Sequence, residues 1–122
     1  MQQKKKTLVV GASEKPHRYS NKAIRKLLRY GHEVVPLAPR DGQVAGVPFV
    51  TGFPKIEDVH TVTLYIGPAR QPAYYDYLIA LKPKRIIFNP GTENPVLLQK
   101  AQENGIETIE NCTLVMLETL LF

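Results

Sequence analysis

The chain has 122 residues, 43% of them hydrophobic and 22% charged, which fits one globular domain around one core. That leaves no length for a binding domain plus a separate catalytic domain, and no apolar run approaches the ~20 residues a membrane span needs. The net charge of +5 is uneven: residues 1–61 carry 11 Lys/Arg against 5 Asp/Glu, and residues 62–122 carry 5 against 6.

Such a basic excess suits nucleic acid, an anionic membrane or a multiply phosphorylated small ligand. No aromatic–basic interleaving of a recognised nucleic-acid module is present, so a nucleic-acid partner is not expected. Lys4–Lys6 read as a solvated leader. No small-residue cleavage site follows them, so the expected location is cytoplasmic. The single cysteine, Cys112, excludes an internal disulfide and offers no metal-ligand cluster.

Thr7–Gly11 is a β-branched, apolar run and reads as the first strand. A polar loop with Ser13, Lys15, His17 and Arg18 leads to an amphipathic segment, 20–30, that stops at Gly31. Ala23, Ile24, Leu27 and Leu28 share one helical face, Ser20 is a good N-cap, and Lys22, Arg25, Lys26 and Arg29 form a solvated side. Residues 33–38 predict a second strand. Pro36 leaves one side of it poorly paired, with a short neighbour expected at Val47–Val50 after the turn at Asp41-Gly42. A strand is predicted over 61–66 and broken by Gly67-Pro68. A helix follows over 70–81, with Tyr74, Tyr77, Leu78 and Leu81 on one face. Then come a strand at 85–88, a turn at Asn89-Pro90-Gly91, a helix over 95–104, a strand over 106–109 and an apolar helix over 113–122. The alternation predicts α/β architecture, a small doubly wound, mainly parallel sheet. In such a sheet ligands bind beyond the carboxyl ends of the strands, which selects residues 11–20, 38–41, 67–70, 89–92 and 110–113.

The loop after the first strand joins strand to helix, and a helix N-terminus presents open N–H groups and a positive dipole end to an anion. It is not a NAD fingerprint: Gly11 is followed by Ser13 in place of a second glycine, and residues 14–19 contain none. Arg40 stands at the end of the second strand where NAD needs a carboxylate, which favours a phosphorylated ribose. NADP and coenzyme A (CoA) both carry one.

Four segments stand in order along the chain: Val9-Val10-Gly11-Ala12-Ser13-Glu14-Lys15-Pro16 with Arg18 and Ser20, Gly31-His32-Glu33-Val34-Val35-Pro36-Leu37-Ala38-Pro39, Gly46-Val47-Pro48, and Asn111-Cys112 with Glu118. Together they resemble those of the small single-domain CoA-binding proteins, relatives of the CoA-binding domain of the succinyl-CoA synthetase α subunit. Ala38, the segment Ile66-Gly67-Pro68-Ala69-Arg70 and the segment Phe88-Asn89-Pro90-Gly91 depart from the common pattern. The resemblance implies a Rossmann-like, three-layer fold with about five strands. It also implies CoA or acyl-CoA binding but does not imply a reaction, so a non-catalytic module is expected; an NADP-linked oxidoreductase or redox sensor is the competing reading. The implied cofactor-binding residues are Gly11, Ala12, Ser13, Lys15, Arg18, Tyr19, Ser20 and Asn21 in the first loop and helix. Pro39 and Arg40 follow the second strand, Gly67, Pro68 and Arg70 the next long strand, and Asn89 the one after.

Within that set, Ser13 and Ser20 offer hydroxyls to phosphate, Lys15 a point charge and Arg18 a bidentate fork. His32 and His60 read as surface residues, His17 as a surface residue or secondary phosphate contact, Cys112 as a buried structural thiol, and Tyr74, Tyr75 and Tyr77 as a helix face packed on the sheet or on a partner. The tail from Leu114 to Phe122 is apolar nearly all round, so it is expected to pack partly against a second copy in a homodimer.

Overall fold

The computed structural model describes residues 3–122. In chain order its elements are β1 (Thr7–Val10), α1 (Tyr19–Arg29), β2 (Val34–Leu37), β3 (Gln43–Val44), β4 (Val47–Pro48), β5 (Thr61–Leu64), α2 (Tyr75–Ala80), β6 (Arg85–Phe88), α3 (Pro95–Glu103), β7 (Glu107–Glu110) and α4 (Thr113–Glu118). Five strands pair in parallel in the order β2-β1-β5-β6-β7, with β3 and β4 as a small antiparallel hairpin beside them. This is the expected Rossmann-like, doubly wound architecture.

Side chains alternate across a strand, and the two faces are covered by different helices. Leu8, Val10, Val62, Leu64, Ile86 and Phe88 pack with Leu78 of α2 and with Leu97 and Ala101 of α3. Val9 and Ile87 pack with Ile24 and Leu27 of α1 and with Met116 and Leu117 of α4. Each large aliphatic chain buried this way contributes about 1.5–3 kcal/mol. Coverage on both faces explains why β1 and β6 read as continuous apolar runs. The buried threonines of β5 meet their polar needs locally. The Thr61 hydroxyl accepts from Arg85 Nε at 2.8 Å, and the Thr63 hydroxyl lies 2.8 Å from that of Thr113.

β2 lies at the sheet edge, and Pro36 offers only its carbonyl, which accepts from Val50 N–H at 2.8 Å. The predicted strand over 47–50 is divided: Val47–Pro48 pairs with Gln43–Val44, and Val50 alone bridges Leu37. The predicted helix over 70–81 is also broken up. Pro68–Arg70 and Pro72–Tyr74 form single 3₁₀ turns, and α2 occupies only Tyr75–Ala80. Proline suits a first helical turn, lacking the N–H that a longer α-helix would use, so each proline restarts the winding. α4 stops at Glu118, short of the predicted 122.

Several side chains lie deeper than expected. His32 is 3% exposed, not a surface residue, because its ring packs at a tilt of 57° against Phe122 with centroids 4.9 Å apart, and Arg85 covers that phenyl ring at 4.5 Å. Lys5 and Lys6 are half-buried and are not a free leader: Lys5 Nζ bonds the Phe122 carbonyl, and Lys6 pairs with Glu33 at 3.7 Å. Lys26 leaves the solvated side of α1 to pair with Glu118 of α4. Cys112, by contrast, is only half-buried, since it sits at the N-cap of α4 and not in the core. No helix among the described residues is long and apolar enough to cross a membrane. No group of three or more His, Cys, Asp or Glu among them is placed to hold a metal ion.

Candidate functional site

The chain leaves β1 toward β2 on one side, and β5 flanks β1 on the other, so the order of strands reverses at β1. Loops part there, and a cleft of about 620 Å³ opens beyond the carboxyl ends, a size typical of small-molecule sites. Gly11 begins its floor, with φ of +97°. A Cβ at this position would stand 2.9 Å from Ile66 Cγ2 and 3.1 Å from the Tyr65 backbone, so only glycine lets the β1 exit pass the β5 exit. The N–H groups of Gly11 and Ala12 both donate to Leu37 O, at 2.9 and 3.0 Å, and so are already committed to protein.

The open donors lie further along, at the start of α1. The N-cap residue is Arg18, which makes no side-chain cap hydrogen bond, and Ser20, expected to cap, is instead a buried residue of the first turn. The main-chain N–H groups of Tyr19, Ser20 and Asn21 have no acceptor among the described residues. Three adjacent, uncapped donors at the positive end of an 11-residue helix make an anion site. Asn21 braces this turn: its Nδ2 donates to Ser13 O at 2.9 Å, and its Oδ1 accepts from Arg25 Nε at 3.0 Å.

Four cations rim the cleft, Lys15 and Arg18 beside the helix start, Arg40 on the β2 side and Arg70 after β5, and all four are exposed. None forms an ion pair with a described residue. The two carboxylates on the rim are Glu14 and Asp41. Glu14 accepts from Gln43 N–H at 3.0 Å, which ties the first loop to the one after β2 and directs its charge into protein. Tyr65, Ile66 and Phe49 supply apolar wall. Burial pushes the Tyr65 phenol up to about 12, with nearby Thr113 and Thr63 working against the rise. The buried Tyr65 hydroxyl lies near both threonines but makes no hydrogen bond of good geometry.

Of the residues singled out from sequence, the fold brings eleven to the cleft. Gly11, Ala12, Ser13, Lys15, Arg18, Tyr19 and Ser20 line one wall, Pro39 and Arg40 the β2 side, and Gly67 and Arg70 the β5 side. Asn21, Pro68 and Asn89 are not among its lining residues. Asn89 is 3% exposed and wholly engaged: its Nδ2 donates to Thr63 Oγ1 (2.6 Å) and Leu64 O (2.8 Å), and its Oδ1 accepts from Thr113 N–H (2.9 Å). It fastens α4 to the sheet. Residues 110–113, also placed at this end of the strands by pattern, do not reach the cleft, whereas Pro90, Gly91 and Thr92 do. Phe49 arrives through the β3–β4 hairpin, which no local signal connects to the site.

The chain matches the family model described as CoA binding domain over residues 5–118. It belongs to the CoA-binding domain family. This CoA-binding domain is similar to a crystal structure of an uncharacterized protein at 47% identity and TM-score 0.97, covering 99% of this chain and 100% of that one. It is similar to a hypothetical protein from Pyrococcus horikoshii OT3 at 29% identity and TM-score 0.87, covering 98% and 85% of the two chains. It shares its fold with the dinucleotide-forming acetyl-coenzyme A synthetase 1 of Ca. Korarchaeum cryptofilum, solved with phosphate and ADP, at 22% identity and TM-score 0.68, covering 87% of this chain and 25% of that one. A comparison with curated proteins finds no match.

Proposed function

We propose that this chain binds coenzyme A or an acyl-CoA in the cleft at the β1–β5 switch point, as a carrier, sensor or regulatory module without a reaction of its own. One observation carries the reading. The first turn of α1 is uncapped, and it opens into a cleft rimmed by four cations that lack protein counterions. A diphosphate on the N–H groups of the cleft-lining Tyr19 and Ser20, flanked by Lys15 and Arg18, satisfies those donors. Arg40, beyond the edge strand β2, lies on the side where a doubly wound fold seats adenosine, and there it meets a ribose phosphate. The pantetheine limb then runs the other way, between Ile66-Gly67 and Pro90–Thr92. Family membership favours CoA over NADP, which offers the same diphosphate and a ribose phosphate at a neighbouring hydroxyl.

The test is a thermal-shift panel. A ligand at 100 times its dissociation constant adds about 2.7 kcal/mol to stability, a rise in midpoint on the order of several degrees for a domain of this size. CoA should stabilise most, dephospho-CoA less, and NADP and NAD least. An NADP response larger than that of CoA would overturn the reading. We also propose a homodimer through the exposed apolar side chains Val115, Leu120 and Leu121 around the end of α4.

A further inference from the structure

Gln71 is not among the residues that line the cleft, yet it holds two of its walls together. It follows the Pro68–Arg70 turn and is fully buried, at 0% exposure. Its Nε2 donates to Ile66 O at 3.0 Å and to Thr92 O at 2.8 Å. Ile66 belongs to the β5 exit and Thr92 to the β6 exit, and both line the cleft. Gln71 Oε1 accepts from Asn94 Nδ2 at 2.9 Å. Asn94 also donates to the Tyr75 hydroxyl at 2.8 Å, and its Oδ1 accepts from the N–H groups of Val96 (3.0 Å) and Leu97 (3.3 Å). One amide therefore joins the two loops, and a second anchors it to the starts of α2 and α3.

The chemistry at this position admits few substitutes. Two carbonyl oxygens face the Gln71 side chain, so its end must carry two N–H donors, which also sets which way the amide points. Leucine would leave both carbonyls and one Asn94 donor unpaired in a dry interior. Ionised glutamate would set a carboxylate against two carbonyl dipoles. Buried networks with every member satisfied rigidify what they connect.

We propose that Gln71 is a positioning residue, setting the spacing between the Ile66-Gly67 wall and the Pro90–Thr92 wall and thereby the fit of the pantetheine limb. The proposal rests on the CoA reading above. The adenosine end, served by α1 and Arg40 on the other side of β1, is independent of it.

Calorimetric titration with CoA and with adenosine 3′,5′-bisphosphate, which lacks the pantetheine limb, separates the two ends. The variants are Gln71→Leu and Asn94→Asp. The second keeps the oxygen that caps α3 but sets a carboxylate oxygen against Gln71 Oε1 in place of the donor, so it displaces the amide without altering the cleft lining. The expected result is a fall in CoA affinity of about tenfold or more for Gln71→Leu and a smaller fall for Asn94→Asp, with the bisphosphate changed less than about twofold. Parallel loss of both ligands, or unchanged CoA affinity in a folded variant, overturns the role of Gln71. If Gln71→Leu does not fold, Asn94→Asp decides alone. Wild-type protein that binds neither ligand removes the CoA reading itself; wild-type binding without a split among the variants removes only the role of Gln71.

Discussion

The backbone N–H of Gly11 donates to the Leu37 carbonyl at 2.9 Å, tying the exits of β1 and β2 together at the floor of the cleft. The bond holds Gly11 where its own α-hydrogen, and no larger group, fits against Ile66. Gly11→Ala combines a left-handed φ with a 2.9 Å contact and should cost about 1–3 kcal/mol, measured by urea denaturation. It should also weaken CoA binding, because relief of the clash shifts the first loop.

Arg40→Ala tests the ribose-phosphate assignment. Wild-type protein should prefer CoA to dephospho-CoA, and the variant should bind both alike, since Arg40 pairs with no described carboxylate and its removal leaves no orphaned charge in the fold. A charge-assisted contact of this kind is worth about 1.5–3 kcal/mol, so the lost preference is on the order of tenfold or more. Equal affinities in the wild type would contradict the assignment.

Asn89 was legible as a polar residue at a strand end, where a ligand contact is the natural expectation. Its buried bonds to Thr63, Leu64 and Thr113 give it a structural task instead. Asn89→Ala should lower stability by about 2–4 kcal/mol, because it orphans partners in a buried network. Chemical denaturation reads the loss directly, and CoA affinity under native conditions should change less than in Arg18→Ala.

Acid should destabilise the protein through His32. Its Nδ1 accepts the Lys5 N–H at 2.9 Å, and its Nε2 is buried without a hydrogen-bond partner. Burial first, then Lys5 and Arg85, hold its pKa below the usual 6.5. The unfolded chain therefore takes up the proton first, near pH 6.5, and stability falls from there down to the depressed folded-state value. Above that window the group contributes no pH dependence. His60 is shifted the same way, by burial and then Arg85, so the comparison is between wild type and His32→Asn, whose amide oxygen can stand in for Nδ1. The slope of unfolding free energy between pH 7 and 5 should be smaller in the variant.

Val115, Leu120 and Leu121 are 51%, 64% and 68% exposed, a high value for three apolar side chains around the end of one short helix. Sedimentation at micromolar concentration should give a dimer, and Leu121→Glu should give a monomer of unchanged fold. A monomeric wild type would reject the dimer.

Periodicity and punctuation determined the architecture. β-branched runs at 7–11 and 61–66, the amphipathic segment 20–30 and the stops at Gly31 and Gly105 each express a local preference that survives in the folded chain, so the main elements were legible, whereas the strand order, the divided segment 47–50, the broken winding over 70–81 and the end of α4 were not. The cationic loop was legible too, because Lys15, Arg18 and Arg40 have to stand near strand ends in any doubly wound sheet. Only the tertiary structure decided how the polar groups are shared out. Ser20 and Asn89 turned inward, Glu14 bonded to Gln43, and Gln71 came to bond Thr92, 21 residues away in sequence. The physical reason is that a buried hydrogen bond depends on which partners the packed helices bring within about 3 Å, and that distance has no counterpart in the spacing of residues along the chain.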